Sequence, residues 1–286
     1  MISNRTIAFA FIACAVALPA AIPSARAEEV WQTLPARPPM PAAAESGYAP
    51  VNDIEMYYAT YGEGPPLIML HGGLGHSDVW GYQIPALAEH YKVIVADSRG
   101  HGRSSRSAQP YSYALMASDV VALMDYLKIE NAALVGWSDG GIIGLDIAIN
   151  HPDRLGKLFA FGANTQVSGL RPDIAESAVF NQYIVEIGQD YASMSKTPTE
   201  YDAFVAQISE MWATQPDYKA ADLAKITTPT AIADGEHDEA ILQEHNKEMA
   251  AQIPGAKLVI LPGVSHFAFL QKPDEFNQAV LDFLKE

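Results

Sequence analysis

The sequence predicts an α/β fold, a mostly parallel central sheet flanked by helices, and three observations carry that prediction. Short apolar runs alternate with stretches of helical period along most of the chain. The runs are brief and unbroken, as strands buried on both faces require. The length of 286 residues, 49% of them hydrophobic, is enough for a full core and one α/β domain with a modest insertion.

Residues 1–27 read as a secretory signal: Arg5, an apolar run from Ile7 to Ile22, then Ala25-Arg26-Ala27. Cleavage is expected after Ala27, with the mature protein secreted or periplasmic. The apolar run is interrupted by Pro19 and falls short of the ~20 residues of a spanning helix, so no stable membrane association is expected once it is removed. It also contains Cys14, the only cysteine. The mature chain would therefore hold no disulfide, no thiolate nucleophile and no cysteine-ligated metal. Loss of Arg5 and Arg26 leaves 16 basic against 34 acidic residues, a net charge of −18. That balance argues against nucleic acid and anionic membrane surfaces as partners and leaves a small molecule as the expected one. Composition says nothing of oligomeric state.

Residues 28–47 are rich in Pro and Ala, with Arg37-Pro38-Pro39-Met40-Pro41 at their centre, and are expected to form an extended leader. Residues 54–61 alternate like a half-buried strand and are closed by Gly62-Glu63-Gly64-Pro65-Pro66, a hairpin-type break. Leu67-Ile68-Met69-Leu70, Val93-Ile94-Val95-Ala96, Ala132-Ala133-Leu134-Val135 and Leu158-Phe159-Ala160-Phe161 read as central strands. Between them, residues 113–127 and 142–149 are helical; Leu115, Val120, Leu123 and Leu127 share one face of the first. The rhythm resumes with a strand at 230–233, a helix at 241–252, a strand at 257–261 and a helix at 273–284. Residues 165–224 break it. They read as helices without strands and carry Tyr183, Tyr191, Tyr201, Phe204, Trp212 and Tyr218. We take them as a helical cap inserted into a core of residues 48–164 and 225–286, supplying substrate-facing walls.

Gly136-Trp137-Ser138-Asp139-Gly140-Gly141 stands directly after a buried strand and directly before a helix. G-x-S-x-G in that setting is a nucleophile elbow: a strained turn lifts the serine oxygen clear, and the glycines let strand and helix approach. Leu70-His71-Gly72-Gly73-Leu74-Gly75, at the end of another buried run, can aim a backbone N–H at the same point. Paired with the N–H of Asp139 it would form an oxyanion hole. A serine hydroxyl needs a base to take its proton. His266 follows the last strand and Asp238 the one before, both where loops leave the carboxyl ends of strands. The order Ser138, Asp238, His266 is the order this elbow type expects. Asp234 is the rival acid but sits close to the strand end. Of the other histidines, His71 is expected to brace the oxyanion loop, His101 sits in an arginine-rich turn, and His237 should point away from the site.

On these motifs, together with Asp97-Ser98-Arg99-Gly100-His101-Gly102-Arg103-Ser104, the chain from about residue 48 onward resembles the α/β-hydrolase superfamily. The resemblance implies eight strands, a cap after the sixth, an oxyanion hole from the N–H groups of Gly73 and Asp139, and a structural role for the turn from Asp97 to Ser104. The elbow further resembles valacyclovir-hydrolase-like esterases and, less closely, enol-lactonases and carbon–carbon bond hydrolases. Dehalogenases and epoxide hydrolases of this fold carry aspartate where this chain has Ser138.

The expected activity is hydrolysis of a small carboxylic ester or lactone by Ser138, His266 and Asp238, with no metal and no organic cofactor. A cofactor-free perhydrolase or haloperoxidase, or a carbon–carbon bond hydrolase, would use the same triad. A receptor-like ligand binder with little turnover is the alternative of another class. Trp137 and Asp139 are the candidate substrate-binding residues. The Asp139 carboxylate, at a helix N-terminus, could receive a cationic group, and the cap leans the same way, with nine acidic residues and three basic ones.

Overall fold

The computed structural model describes residues 29–286; the stretch read as a secretory signal and the cleavage expected after Ala27 lie outside the described residues. The chain first makes an antiparallel pair, β1 (Glu45–Val51) and β2 (Ile54–Tyr61), through a turn in which Asn52 takes a left-handed φ of 47°. β2 pairs antiparallel with β4 (Lys92–Ala96). From there β3 (Pro66–Leu70), β5 (Ala132–Trp137), β6 (Leu155–Phe161), β7 (Thr230–Gly235) and β8 (Lys257–Leu261) extend the sheet in parallel, in the order β1-β2-β4-β3-β5-β6-β7-β8.

Two sequence expectations change here. β1 begins at Glu45, inside the stretch read as leader; its Gly47 and Pro50 weaken any strand signal, and an edge strand tolerates both because its outer side has no ladder to lose. Residues 62–66 are a break but not a hairpin, since β4 lies between β2 and β3. The apolar run of β3 belongs at the centre, where both faces are covered.

Helices cover the two faces, and the alternation of β6 shows how. Leu158 meets Gly144 on α3 (Asp139–Asn150), and a Cβ at Gly141 of that helix would stand 3.5 Å from the Ala160 Cα. Phe159 and Phe161 point the other way, to Phe276 on α9 (Pro273–Lys285), with ring centroids 6.0 and 5.2 Å apart. α2 (Tyr113–Tyr126) packs beside α3, and α1 (Gln83–Leu87) and α8 (Ala268–Gln271) beside α9. The side chain of Ser112 caps α2 by accepting the Leu115 N–H.

Between β6 and β7 the chain leaves the sheet as α4 (Ala178–Met194), α5 (Tyr201–Trp212) and the short α6 (Ala220–Leu223). Not all of its aromatics face a substrate. Tyr191, Tyr201 and Phe204 pack on one another, Tyr191 and Phe204 stacked at 5.2 Å, and hold α4 to α5. The core then closes with α7 (Gln243–Gln252) between β7 and β8. None of the helices in the described residues is long and apolar enough to cross a membrane.

Candidate active site

The elbow is built from the backbone outward. Ser138 ends β5 and begins α3 with φ 54° and ψ −120°, a conformation that costs a side-chain-bearing residue energy and that only its surroundings hold. Its N–H donates to the Phe161 carbonyl at 2.8 Å. The flanking glycines are obligatory for space. A Cβ on Gly136 would stand 2.3 Å from the Gly140 carbonyl carbon, and one on Gly140 would stand 2.2 Å from the Leu70 carbonyl oxygen. Strand, elbow and oxyanion loop therefore touch backbone to backbone.

His266 is brought in by the loop after β8. Its Nδ1 lies 2.6 Å from Asp238 Oδ2, and both side chains are buried. The other Asp238 oxygen accepts the N–H groups of Ala240 and Ile241 at 2.6 and 2.7 Å, fixing the carboxylate. Burial opposes a charged imidazole, but Asp238, Glu239 and Asp139 together hold the His266 pKa above its ordinary value. Burial likewise opposes the Asp238 charge, and the imidazole beside it keeps that carboxyl below the usual range. Gly162, at φ 60°, ends β6 against the pair; a Cβ there would stand 2.7 Å from the His266 ring.

Asp234, the rival acid, is not the carboxylate bonded to His266: it accepts the Gly235 N–H at 2.8 Å and the Asn246 side chain. Burial, with Asp238 alongside, pushes its pKa well up. Asp234, Asp238 and His266 present donor atoms within 4.8 Å of one another, the residue types of a cation site. Within that group Asp238 and His266 are already bonded to each other, and Asp234 to the Gly235 N–H and Asn246.

The glycine loop after β3 lies over the elbow. His71 braces it as expected, donating from Nδ1 to the Gly72 carbonyl at 2.7 Å and accepting the Ser98 N–H on Nε2 at 2.9 Å. Burial lowers its pKa to about 4, so it stays neutral. His101 is buried in the turn after β4, and His237 faces outward, stacked on Trp31. From the cap, the Tyr183 hydroxyl donates to the Gly73 carbonyl at 3.0 Å. The turn from Asp97 to Ser104 sits below: the Asp97 carboxylate accepts the N–H groups of Ser77 and Arg103.

Ser138, His266, Gly73 and Asp139 line one cavity of about 350 Å³ beneath the cap. Its walls are mostly apolar, including Leu170, Ile174, Phe180 and Ile241, and no lysine or arginine lines it. Trp137 also lines it, although its ring is almost wholly buried, packed against Phe269 at 4.6 Å and 5.6 Å from His266. The Asp139 carboxylate also lines it. One of its oxygens accepts the Tyr113 hydroxyl at 2.8 Å, and the Trp212 indole N–H lies 3.0–3.1 Å from both. Burial raises its pKa to about 6 against those hydrogen bonds. Tyr113 and Glu239 had no place in the sequence-derived site, and Trp212 entered it only as one of the cap's aromatics. Tyr113 read as an ordinary helix position. Glu239, whose carboxylate accepts the His266 N–H at 3.0 Å, was overshadowed by its neighbour Asp238.

This fold and this site define the class, and the chain belongs to the α/β-hydrolase family. The family model described as "alpha/beta hydrolase fold" matches residues 65–192. The human serine hydrolase BPHL is 29% identical over 270 residues, covering 86% of this chain and 90% of that protein. Among solved structures, Est816, described as an N-acyl homoserine lactone degrading enzyme, is 30% identical with a TM-score of 0.66, covering 81% of this chain and 98% of that one. The enol-lactonase from Burkholderia xenovorans LB400 is 26% identical with a TM-score of 0.68, covering 84% and 100%. The chain is a hydrolase of the α/β type.

Proposed function

We propose that the chain is a serine hydrolase that cleaves a small-molecule carboxylic ester or lactone through an acyl-enzyme on Ser138. One observation carries the reading: a serine held at φ 54° at the head of α3 shares a cavity with a histidine whose far nitrogen is bonded to a buried aspartate. With Nδ1 committed to Asp238, the Nε2 of His266 is left to take the Ser138 proton as the oxygen attacks the carbonyl carbon. The N–H of Asp139, first residue of α3, has no carbonyl within the helix to bond, and with the N–H of Gly73 it would receive the oxyanion. His266 then passes its proton to the leaving oxygen. Water, deprotonated by the same nitrogen, releases the acid. Asp238 holds the tautomer and stabilises the imidazolium.

Relatives named as a serine hydrolase, an enol-lactonase and a lactone-degrading enzyme support the bond type. The cavity narrows it. An acidic side chain, Asp139, lines the cavity and the walls carry no lysine or arginine, so a substrate carboxylate near the reacting carbonyl would find no cationic partner while neutral or cationic groups fit. Trp137 contributes apolar surface, Asp139 its carboxyl group. The experiment is active-site labelling. A serine-directed alkyl phosphonate should attach at Ser138, located by mass spectrometry, and abolish turnover of p-nitrophenyl acetate. Attachment at another residue with activity lost would overturn the assignment.

A further inference from the structure

The cavity has two sides that differ in what they are made of. On one side lie Asp139, Tyr113 and Trp212, joined by hydrogen bonds between 2.8 and 3.1 Å. The indole of Trp212 rests directly on the oxyanion loop: a Cβ on Gly73 would stand 2.3 Å from its Cζ2 and 2.9 Å from Asp139 Oδ2. On the other side, Phe180 stands 6.1 Å from the His266 ring, and Ile241 is one of the two residues whose N–H groups bond Asp238. That side is apolar and reaches through Leu170, which bridges to Ile241, to Ile174.

Acyl transfer assigns these sides chemically. The tetrahedral carbon carries the Ser138 oxygen, the oxyanion, the leaving oxygen and the acyl substituent. The leaving oxygen must face His266, which protonates it, so the leaving group runs along Phe180 and Ile241. The oxyanion faces the N–H groups of Gly73 and Asp139. The acyl substituent takes the remaining direction, past Asp139 toward the indole that closes that wall.

We propose that Trp212 is the specificity-determining residue for acyl length, ending the acyl side of the cavity at the oxyanion loop, while the alcohol side is bounded independently by Phe180. This rests on the serine-hydrolase reading above. Trp212 is held for the task at both ends: its N–H by the Asp139 carboxylate, its ring edge by the absence of a side chain at Gly73. The consequence is a short acyl group combined with a larger permitted alcohol. Trp212 belongs to α5 of the cap, so the cap, rather than the core, sets acyl selectivity.

The test uses two ester series and measures kcat/KM: p-nitrophenyl esters from acetate to octanoate, and acetates of alcohols from methyl to octyl. Wild type should favour the shortest acyl groups. Trp212→Ala should raise the ratio of longer to shortest acyl ester by about fourfold for each methylene the vacated space buries, leaving the ratio of longest to shortest alcohol in the acetate series unchanged to within about twofold. Phe180→Ala should do the reverse. Trp212→Phe, which keeps a ring in place, should shift the acyl series in the same direction by less, and serves if the alanine variant does not fold. A loss of selectivity in both series together, or an acyl profile that neither Trp212 variant moves, overturns the proposal while Ser138-dependent turnover leaves the hydrolase reading standing. Absence of any turnover that Ser138→Ala abolishes overturns both.

Discussion

At the scale of the residue, the site concentrates charge around one imidazole. Asp238 is bonded to it, Glu239 accepts its backbone N–H, and Asp139 stands across the cavity. Removing the proposed nucleophile or base, by Ser138→Ala or His266→Ala, should leave a folded protein with kcat/KM lower by roughly three orders of magnitude or more. The circular dichroism spectrum checks the fold and p-nitrophenyl ester hydrolysis the rate. The pH dependence follows from sign alone. His266 acts as a base only when neutral, and its pKa lies above the ordinary 6.5, so kcat/KM should fall with decreasing pH through a midpoint above 6.5. Glu239→Gln keeps an acceptor for the His266 N–H but removes a negative charge, so the acid limb should move to lower pH. A profile flat from pH 5 to pH 8, or a limb that Glu239→Gln leaves in place, contradicts this account.

At the scale of the element, the parts most legible in the sequence are those whose signal is local. β2 and β8 span the residues that alternation and apolarity marked, and Ser138, Asp238 and His266 come from three loops at the carboxyl edge of the sheet, as chain order anticipated. β1 was not legible, because it is defined by pairing with β2 rather than by its own Gly- and Pro-containing sequence. α1 and α8 are too short to show a period. The elbow makes a quantitative case. Gly136→Ala drives a methyl into backbone atoms of α3 that cannot move aside, and should destabilise by about 3 kcal/mol, the upper end for overpacking. Gly255→Ala has the same new methyl with nothing within 4 Å, and only its φ of 70° to strain, so about 1 kcal/mol is expected. Urea midpoints at constant m-value separate the two. Equal effects would mean that the close approach of β5 and α3 relaxes more easily than the structure implies.

At the scale of the molecule, the segment ahead of β1 is a strap rather than a free leader, which its Pro- and Ala-rich composition could not reveal because its partners are distant in sequence. The carbonyls of Trp31 and Thr33 accept the side-chain amide of Gln271, about 240 residues away, and the Trp31 ring stacks at 4.5 Å on His237, next to Asp238. Pro38 packs on Gly81, while Arg37 reaches Asp190 on cap helix α4 at 2.6 Å and His76 at 3.0 Å. One segment thus ties the acid loop, the core and the cap together. Most of its contribution should come from the hydrogen bonds and the Trp31 contact, because the Arg37 side chain remains 21% exposed and such ion pairs are worth little. A chain beginning at Ala42 should therefore lose about 2 kcal/mol relative to one beginning at Glu29, lowering Tm by roughly 4–8 °C, whereas Arg37→Ala alone should lower it by no more than about 2 °C. Thermal unfolding followed by circular dichroism measures both. An unchanged Tm in the shortened chain would mean that these contacts add no stability, and a fall in Arg37→Ala as large as in the truncation would place the strap's contribution in its charge rather than in Trp31 and the Gln271 amide.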